Sequence, residues 1–259
     1  MGDEARVVLR TIGGPTAVIE VGGLRLITDP TFDEPGEHPV GTRILTKTAG
    51  PALQPGEIGP VAAVLLSHDQ HPDNLDTSGR AYLSTVALTL TTGAAAARLG
   101  GSARALGRWE RADLERPDGG VLRVTSVPAQ HGPDGTGHLT GEVTGFVLTA
   151  ADQPTVYVSG DNASLRVVRE VAERFGPVDV AVLFAGAART PLLGDANLTL
   201  SSADAAEATE ILGARYAVPV HHDSWAHFTE NADDLRAAFA AAGLSDRLVL
   251  LKPGEQAGL

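Results

Sequence analysis

Residues 65–76 read LLSHDQHPDNLD and place two histidines and three aspartates within nine positions of one another. The apolar run at residues 61–66 comes directly before the first histidine, and such a run is typical of a strand buried on both faces. A metal ion or a catalytic water needs ligands that converge from a rigid base. This stretch therefore predicts a chemical site at the end of a strand.

Three further polar residues have the same placement. His131 follows the predicted strand at residues 121–127, Asp161 follows residues 155–159, and His221 follows residues 216–220. Strand ends project from the rim of a sheet, where pockets form. One polar residue at one strand end is common, but histidine or aspartate at the ends of four strands indicates a shared metal or catalytic site.

Composition limits the classes of function. The 259 residues carry a net charge of −12, which argues against nucleic acid as the main partner because phosphate binding needs a basic surface. No stretch approaches the roughly 20 apolar residues of a membrane span. Residues 1–4 are acidic and lack the apolar core of a signal peptide, so a cytoplasmic location is predicted. The chain contains no cysteine, which leaves histidine, aspartate, glutamate and asparagine as metal ligands.

The order of predicted elements favours one α/β domain over residues 1–259. Short strands dominate the first part, and strands alternate with helices later, a pattern that suits sheets covered by helices. Residues 30–60 are rich in proline, glycine and threonine and are interpreted as a long irregular loop. Predicted helices cover residues 165–175, 201–213 and 231–243, and a closing strand is predicted at residues 248–251.

The stretch at residues 65–76 resembles the metal-binding loop of the metallo-β-lactamase superfamily of metallo-hydrolases, His-x-His-x-Asp-His after a strand. Four other segments match in order: GGLRLITDP (22–30), VPAQHG (127–132), YVSGD (157–161) and VPVH (218–221). The first of these resembles the early hairpin of the ascorbate-6-phosphate-lactonase-like branch. The resemblance covers nearly the whole chain. It implies a four-layer αββα sandwich, with metals at one rim between the sheets.

The resemblance also implies roles for individual residues. The first metal is expected on His68, His71 and His131, the second on Asp73 and His221, and Asp161 is the expected bridge. Zinc is the expected metal, with manganese or iron as alternatives, and one or two ions per chain. Catalytic roles are predicted for Asp69 and Asp73, which would orient a water or carry its proton, and for His227 from the far loop.

The loop departs from the family pattern at two positions. It reads His68-x-x-His71-x-Asp73-Asn74, one residue longer than the pattern, with an asparagine where the family has a histidine for the second metal. Amides bind transition metals weakly compared with imidazole. We therefore predict one tight metal site and one weak or empty site, with His227 or His222 as hypothetical replacement donors.

The predicted function is metal-dependent hydrolysis of a small ester, lactone, amide or phosphoester. Two alternatives stay open: a di-iron redox enzyme on the same fold, and a metal-poor binding protein. The expected partner is a small-molecule substrate, without nucleic acid or membrane, and assembly into a homo-oligomer is left open. Outside the site, Asp29 is interpreted as a turn former, His38 as a loop residue, and Trp109 as lining the cleft or covering the core.

Overall fold

The computed structural model describes residues 7–259, so the acidic residues 1–4 on which the signal-peptide prediction rests lie outside it. Fifteen strands are described in that range. They are β1 (Val7–Gly13), β2 (Thr16–Val21), β3 (Leu24–Thr28), β4 (Gly36–Val40), β5 (Arg43–Lys47), β6 (Ala63–Leu65), β7 (Thr89–Thr91), β8 (Ala103–Ala105), β9 (Arg111–Glu115), β10 (Val121–Pro128), β11 (Thr144–Thr149), β12 (Val156–Val158), β13 (Val180–Phe184), β14 (Tyr216–Val220) and β15 (Gln256–Gly258).

Seven α-helices connect these strands, together with one 3₁₀ turn (Pro191–Leu193). The helices are α1 (Pro55–Ile58), α2 (Thr77–Leu83), α3 (Gly93–Leu99), α4 (Gly137–Thr140), α5 (Leu165–Phe175), α6 (Ser202–Ile211) and α7 (Ala232–Ala241). Between residues 7 and 259, no helix has the combination of length and apolar character that a bilayer crossing requires.

The strands form two large sheets. One has the order β15-β1-β2-β3-β6-β7-β8 and the other β14-β13-β12-β11-β10-β9. Apolar side chains such as Leu9 and Leu26 from the first sheet meet Phe146 and Val182 from the second in a common core. This buried interface supplies the main hydrophobic stabilisation between the sheets.

Helices cover the outer faces of both sheets. Val168 of α5, Ala205 of α6 and Phe239 of α7 pack in one cluster against the second sheet. Tyr82 and Leu83 of α2 belong to the cluster on the outside of the first sheet. The resulting order of layers is helix, sheet, sheet, helix, which confirms the predicted four-layer αββα sandwich.

Two sequence predictions about elements are wrong. The segment at residues 30–60 is not irregular throughout, because β4 and β5 form a hairpin and α1 follows it. The closing strand is not at residues 248–251, where only Leu248 makes an isolated bridge to Ala217. The last strand is β15, which pairs antiparallel with β1. Propensity pointed to the more apolar segment, but pairing with the open edge of β1 decided which segment became a strand.

Left-handed backbone conformations end several strands at one rim. Asp29 after β3 has φ of 24°, Gly160 after β12 has 58° and His221 after β14 has 59°. A Cβ at Gly160 would lie 2.5 Å from the carbonyl oxygen of Thr144, so only glycine fits there. Such conformations are costly for the other two residues and are typical of functional sites.

The β4–β5 hairpin lies against this rim. Thr48 donates a backbone hydrogen bond to Ser224 (2.8 Å), and Ala226 donates one to Thr46 (3.0 Å). At the base of the hairpin, Lys47 forms a buried ion pair with Asp76, the residue that caps α2. The hairpin is therefore fixed beside the loops that carry the predicted site residues.

Candidate metal centre

Three histidines converge at the rim between the two sheets. His68 follows β6 of the first sheet, and His131 follows β10 of the second. His68 Nε2 lies 2.9 Å from His71 Nδ1, and His131 Nε2 lies 3.3 Å from the same atom. One nitrogen from each ring lies within 4.8 Å of the other two, a spacing that can hold a metal ion. The structure thus brings together the three residues expected at the first metal.

Hydrogen bonds on the outer side of two rings fix which nitrogens carry hydrogen. His131 Nδ1 faces the Leu198 carbonyl oxygen at 2.9 Å, and a carbonyl can only accept, so this nitrogen is the donor. The Ser67 hydroxyl donates to Asp29 Oδ2 at 2.6 Å and is left to accept from His68 Nδ1 at 2.9 Å. Both Nε2 atoms therefore present lone pairs toward His71.

The three nitrogens that face one another are His68 Nε2, His131 Nε2 and His71 Nδ1. Among them, only His71 Nδ1 can carry a hydrogen. Burial lowers the pKa of His68 well below its usual value, and burial also lowers the pKa of His71, so both rings are neutral near pH 7. A cluster of inward-facing lone pairs is unfavourable by itself, but a bound cation would satisfy it.

Asp161 completes this side of the site. Its Oδ2 lies 3.6 Å from His131 Nε2 and 3.9 Å from His68 Nε2. The atom is buried and has no hydrogen-bond partner among residues 7–259. Burial raises the pKa of Asp161, but the charge of His221 outweighs this effect and lowers it below the usual range. An ionised, unpartnered oxygen beside three imidazoles fits a metal ligand.

A second group of residues lies on the other side of Asp161. The ring of His221 lies between two carboxylates, with Nδ1 3.1 Å from Asp161 Oδ1 and Nε2 3.4 Å from Asp73 Oδ2. His227 Nε2 lies 3.0 Å from the same Asp73 oxygen. Burial lowers the pKa of His221, but the charges of Asp161 and Asp73 outweigh this effect and raise it to about 10.

Asn74 is fully buried, and its side chain points into the site despite the extra residue in the loop. Its Nδ2 donates to Asp161 Oδ1 and to Asp29 Oδ2, each at 3.1 Å. Two carboxylate oxygens accept from this amide, so the nitrogen rather than the oxygen must face them. The position expected for a second-metal histidine thus holds a hydrogen-bond donor.

Asp69 is not brought to the cluster. Its side chain is buried and paired with the guanidinium groups of Arg98 and Arg80. A carboxylate that is held by two arginines has little capacity left to orient a water or to carry its proton. The geometry therefore favours a structural role for this neighbour of His68, in contrast to the catalytic role predicted from the loop pattern.

Asp29 contributes more than the turn that the sequence indicated. It accepts from the backbone nitrogen and the hydroxyl of Ser67, and from Asn74. Burial raises its pKa to about 7, although the bonds from Ser67 and Asn74 oppose the rise. Asp29 therefore fixes both His68, through Ser67, and Asn74. Its place before a proline suggested only a turn, and no spacing rule linked it to residue 67.

Three other aromatic side chains lie outside the cluster of three histidines. Trp109 packs with Phe175 on the helix-covered face of the second sheet and covers the core. His38 packs against Trp225, with the ring centroids 5.1 Å apart and the two rings tilted by 56°. The ring of Phe228 lies 4.6 Å from the ring of His221 and so contacts a predicted ligand.

A pocket that is open to solvent extends from the histidine cluster. Its inner end is formed by His71, Asp73, His131 and His227. The outer walls come from the β4–β5 hairpin, from α4 and from residues 188–198, and most of their side chains are aliphatic. A concave apolar pocket with a few polar groups at its base is the usual form of a small-molecule site.

Comparison with known proteins agrees with this architecture. A family model described as a β-lactamase superfamily domain matches residues 24–222, well over half of the chain. The chain therefore belongs to the β-lactamase superfamily. The early hairpin's likeness to the ascorbate-6-phosphate-lactonase-like branch stays a prediction.

A relative in Pyrococcus furiosus, named as a UPF0173 metal-dependent hydrolase, is 28% identical over 134 residues. That alignment covers 52% of this chain and 54% of the relative, so the chain spans about half the length of the curated relatives it matches.

Two solved structures share the fold over almost their whole length. An isothiocyanate hydrolase from Delia radicum gut bacteria superposes with a TM-score of 0.82 at 23% identity, covering 97% of this chain and 98% of that one. A metallo hydrolase from Ignicoccus hospitalis superposes with a TM-score of 0.70 at 20% identity, covering 97% of both chains. These likenesses confirm the metallo-β-lactamase fold.

Proposed function

We propose that this protein is a metal-dependent hydrolase that acts on a small ester, lactone, amide or phosphoester. The observation that carries the proposal is the meeting of His68 Nε2, His71 Nδ1 and His131 Nε2 beside the unpartnered Oδ2 of Asp161. The name of the Pyrococcus furiosus relative, a metal-dependent hydrolase, supports the same activity.

In the proposed centre, His68, His71, His131 and Asp161 hold one metal ion, expected to be zinc, with manganese or iron as alternatives. Three imidazoles and one carboxylate are donors that suit these metals. When bound, such an ion lowers the pKa of a water from about 15.7 to about 7 and polarises a carbonyl or phosphoryl group.

Asp73 is the residue that we assign to orienting the attacking water. Burial raises its pKa, but the charges of His227 and His221 and the hydrogen bond with His227 outweigh burial and hold it well below the usual range. The carboxylate is therefore ionised at neutral pH. Its Oδ2 is held by His227, whereas its buried Oδ1 has no partner in the described range and can accept a hydrogen bond from a water.

We further propose that only one metal is held tightly. A second ion would need Asp73, Asp161 and His221 as ligands. However, His221 already faces both carboxylates, and Asn74 donates to Asp161. These donors offset the carboxylate charges that would attract a second cation.

Elemental analysis of the protein as purified, combined with a panel of ester, lactone, amide and phosphoester substrates, tests the proposal. We expect about one zinc ion per chain and hydrolysis that a chelator abolishes. An iron-containing, coloured preparation would instead favour the redox alternative. Absence of metal, with no uptake of zinc, manganese or iron, would contradict the proposal and favour a binding protein. A small-molecule substrate and a cytoplasmic location stay expectations from the sequence.

A further inference from the structure

The outer wall of the pocket combines aliphatic side chains with two arginines, Arg43 and Arg189. Three separate segments supply leucines that line the same space. They are Leu45 of β5, Leu139 of α4, and Leu193 and Leu198 of residues 188–198. Leu139 is also 47% exposed, so the apolar lining extends to the mouth. This surface favours a substrate with an apolar body, because burial of such a body releases water from both partners.

Arg189 of this wall donates to Asn197 Oδ1 at 2.9 Å. Arg43 is the other cation of the wall. It lies on β5, it lines the pocket, and its charge acts on His71 at the base. Its guanidinium donates to the Thr190 hydroxyl, which ties the hairpin to the opposite loop. Within residues 7–259 it has no carboxylate partner, whereas Arg98 and Arg123 each hold one.

The charge of Arg43 is therefore uncompensated inside a mostly apolar pocket. Asp73, the one acidic residue in the lining, is already held by His221 and His227. A guanidinium has five N–H donors in a planar fork that matches a carboxylate, and Thr190 uses only part of that capacity. A half-buried cation of this kind favours a ligand that brings its own negative charge.

We propose that the substrate is a small molecule with an apolar body and a carboxylate or similar oxyanion, and that Arg43 binds this anionic group while the apolar body lies against Leu45, Leu139 and Leu193. This inference rests on the proposed function, since it places the scissile bond at the histidine cluster. Arg43 is thereby a specificity residue, and it lies on a hairpin that the sequence did not predict.

Binding of three probes of equal length tests the proposal: hexanoate, hexan-1-ol and hexylammonium, titrated calorimetrically into the protein as purified. We expect hexanoate to bind at least about tenfold more tightly than hexanol, and hexylammonium to bind most weakly. In Arg43→Met the preference for hexanoate over hexanol should disappear, while binding of hexanol persists. Arg43→Lys should retain part of the preference.

Two controls separate the alternatives. Thr190→Val breaks the tie between hairpin and loop but keeps the charge of Arg43, so it should keep the preference; Arg123→Met removes a surface arginine and should also keep it. A preference that survives in Arg43→Met would mean that another cation, such as Arg189 or the metal, binds the carboxylate, and would overturn the proposal. If Thr190→Val lost the preference for hexanoate as completely as Arg43→Met, the role of Arg43 would be to connect the hairpin to the loop. That result would also overturn the proposal. Failure of wild type to bind hexanoate at any soluble concentration would do the same.

The metal content of each sample distinguishes this inference from the proposed function. If the protein holds metal and hydrolyses a substrate but shows no preference for hexanoate, only the proposed anion subsite is contradicted. A preference for hexanoate that depends on Arg43 in a protein without metal would keep the subsite and remove the hydrolase.

Discussion

At the scale of single residues, the fixed tautomers of the histidine cluster lead to a direct test. His131 is held at Nδ1 by the Leu198 carbonyl, and its Nε2 faces the other two rings. We expect His131→Ala to lose the metal and the activity. At metal concentrations that saturate the wild type, about 100 times Kd, the variant should also lose roughly 2.7 kcal/mol of stabilisation. Elemental analysis and thermal unfolding measure these effects.

His38→Ala is the matched control for that change. His38 packs on Trp225 on the hairpin and lies 3.7 Å from Asp33, and it is not one of the three clustered histidines. The His38→Ala variant should keep both metal and activity. Equal losses in the two variants would contradict the assignment of His131 as a ligand.

Asn74 carries a second prediction at this scale. Its amide lies 3.1 Å from Asp161 Oδ1, so an imidazole introduced at residue 74 would be placed among the carboxylates. Since imidazole is a far better ligand than an amide, Asn74→His should raise the metal content from about one toward two per chain. Asn74→Gln is the control and should not. Two tightly held ions in the wild type would refute the argument and would point to His227 as the missing donor.

At the scale of elements, a buried ion pair holds the base of the β4–β5 hairpin. Lys47 Nζ lies 2.9 Å from Asp76 Oδ2, and the two side chains are 2% and 0% exposed. Lys47→Met would leave Asp76 buried without its cation, although three backbone N–H groups still donate to it. We expect a loss of about 3 kcal/mol in the free energy of unfolding, measured by urea denaturation.

Arg123→Met offers the comparison for the Lys47 change, because it breaks an ion pair with Asp113 that is largely exposed. Its urea midpoint should hardly move, since water screens exposed pairs. If the two variants were equally stable, the buried pair would not anchor the hairpin.

At the scale of the whole molecule, the site joins the two sheets, and its charges make stability depend on pH. In metal-free protein, folded His221 keeps its proton up to about pH 10, whereas an unfolded histidine releases it near pH 6.5. Between these values the folded state binds more protons. Its stability is therefore highest below about pH 6.5 with respect to this group, and falls as the pH rises toward 10.

The expected fall from about pH 7 to about pH 10 is on the order of 3 kcal/mol. Urea denaturation in the presence of a chelator measures it. His221→Gln, which cannot titrate, should show a flatter profile than the wild type over the same range. A wild-type profile that is flat there would contradict the raised pKa of His221.

The sequence by itself determined the parts that follow from local pattern. Apolar runs predicted the strands that precede His68, His131, Asp161 and His221, and helix patterns predicted α5 at its observed bounds and α6 within two residues of them. The segments resemble the family pattern in the same order along the chain, and that resemblance was enough to predict the fold class. These features depend on a few neighbouring residues, so a linear reading captures them.

Only the tertiary structure decided what depends on distant partners. It turned Asp69 toward Arg98, joined Asp29 to Asn74, and placed Asn74 against Asp161 in spite of the longer loop. It also folded residues 36–47 into a hairpin over the site, which made Arg43 part of the pocket. The physical reason is the same in each case: which charges and donors meet is set by the packing of segments far apart in sequence, where burial makes every unpaired polar group costly.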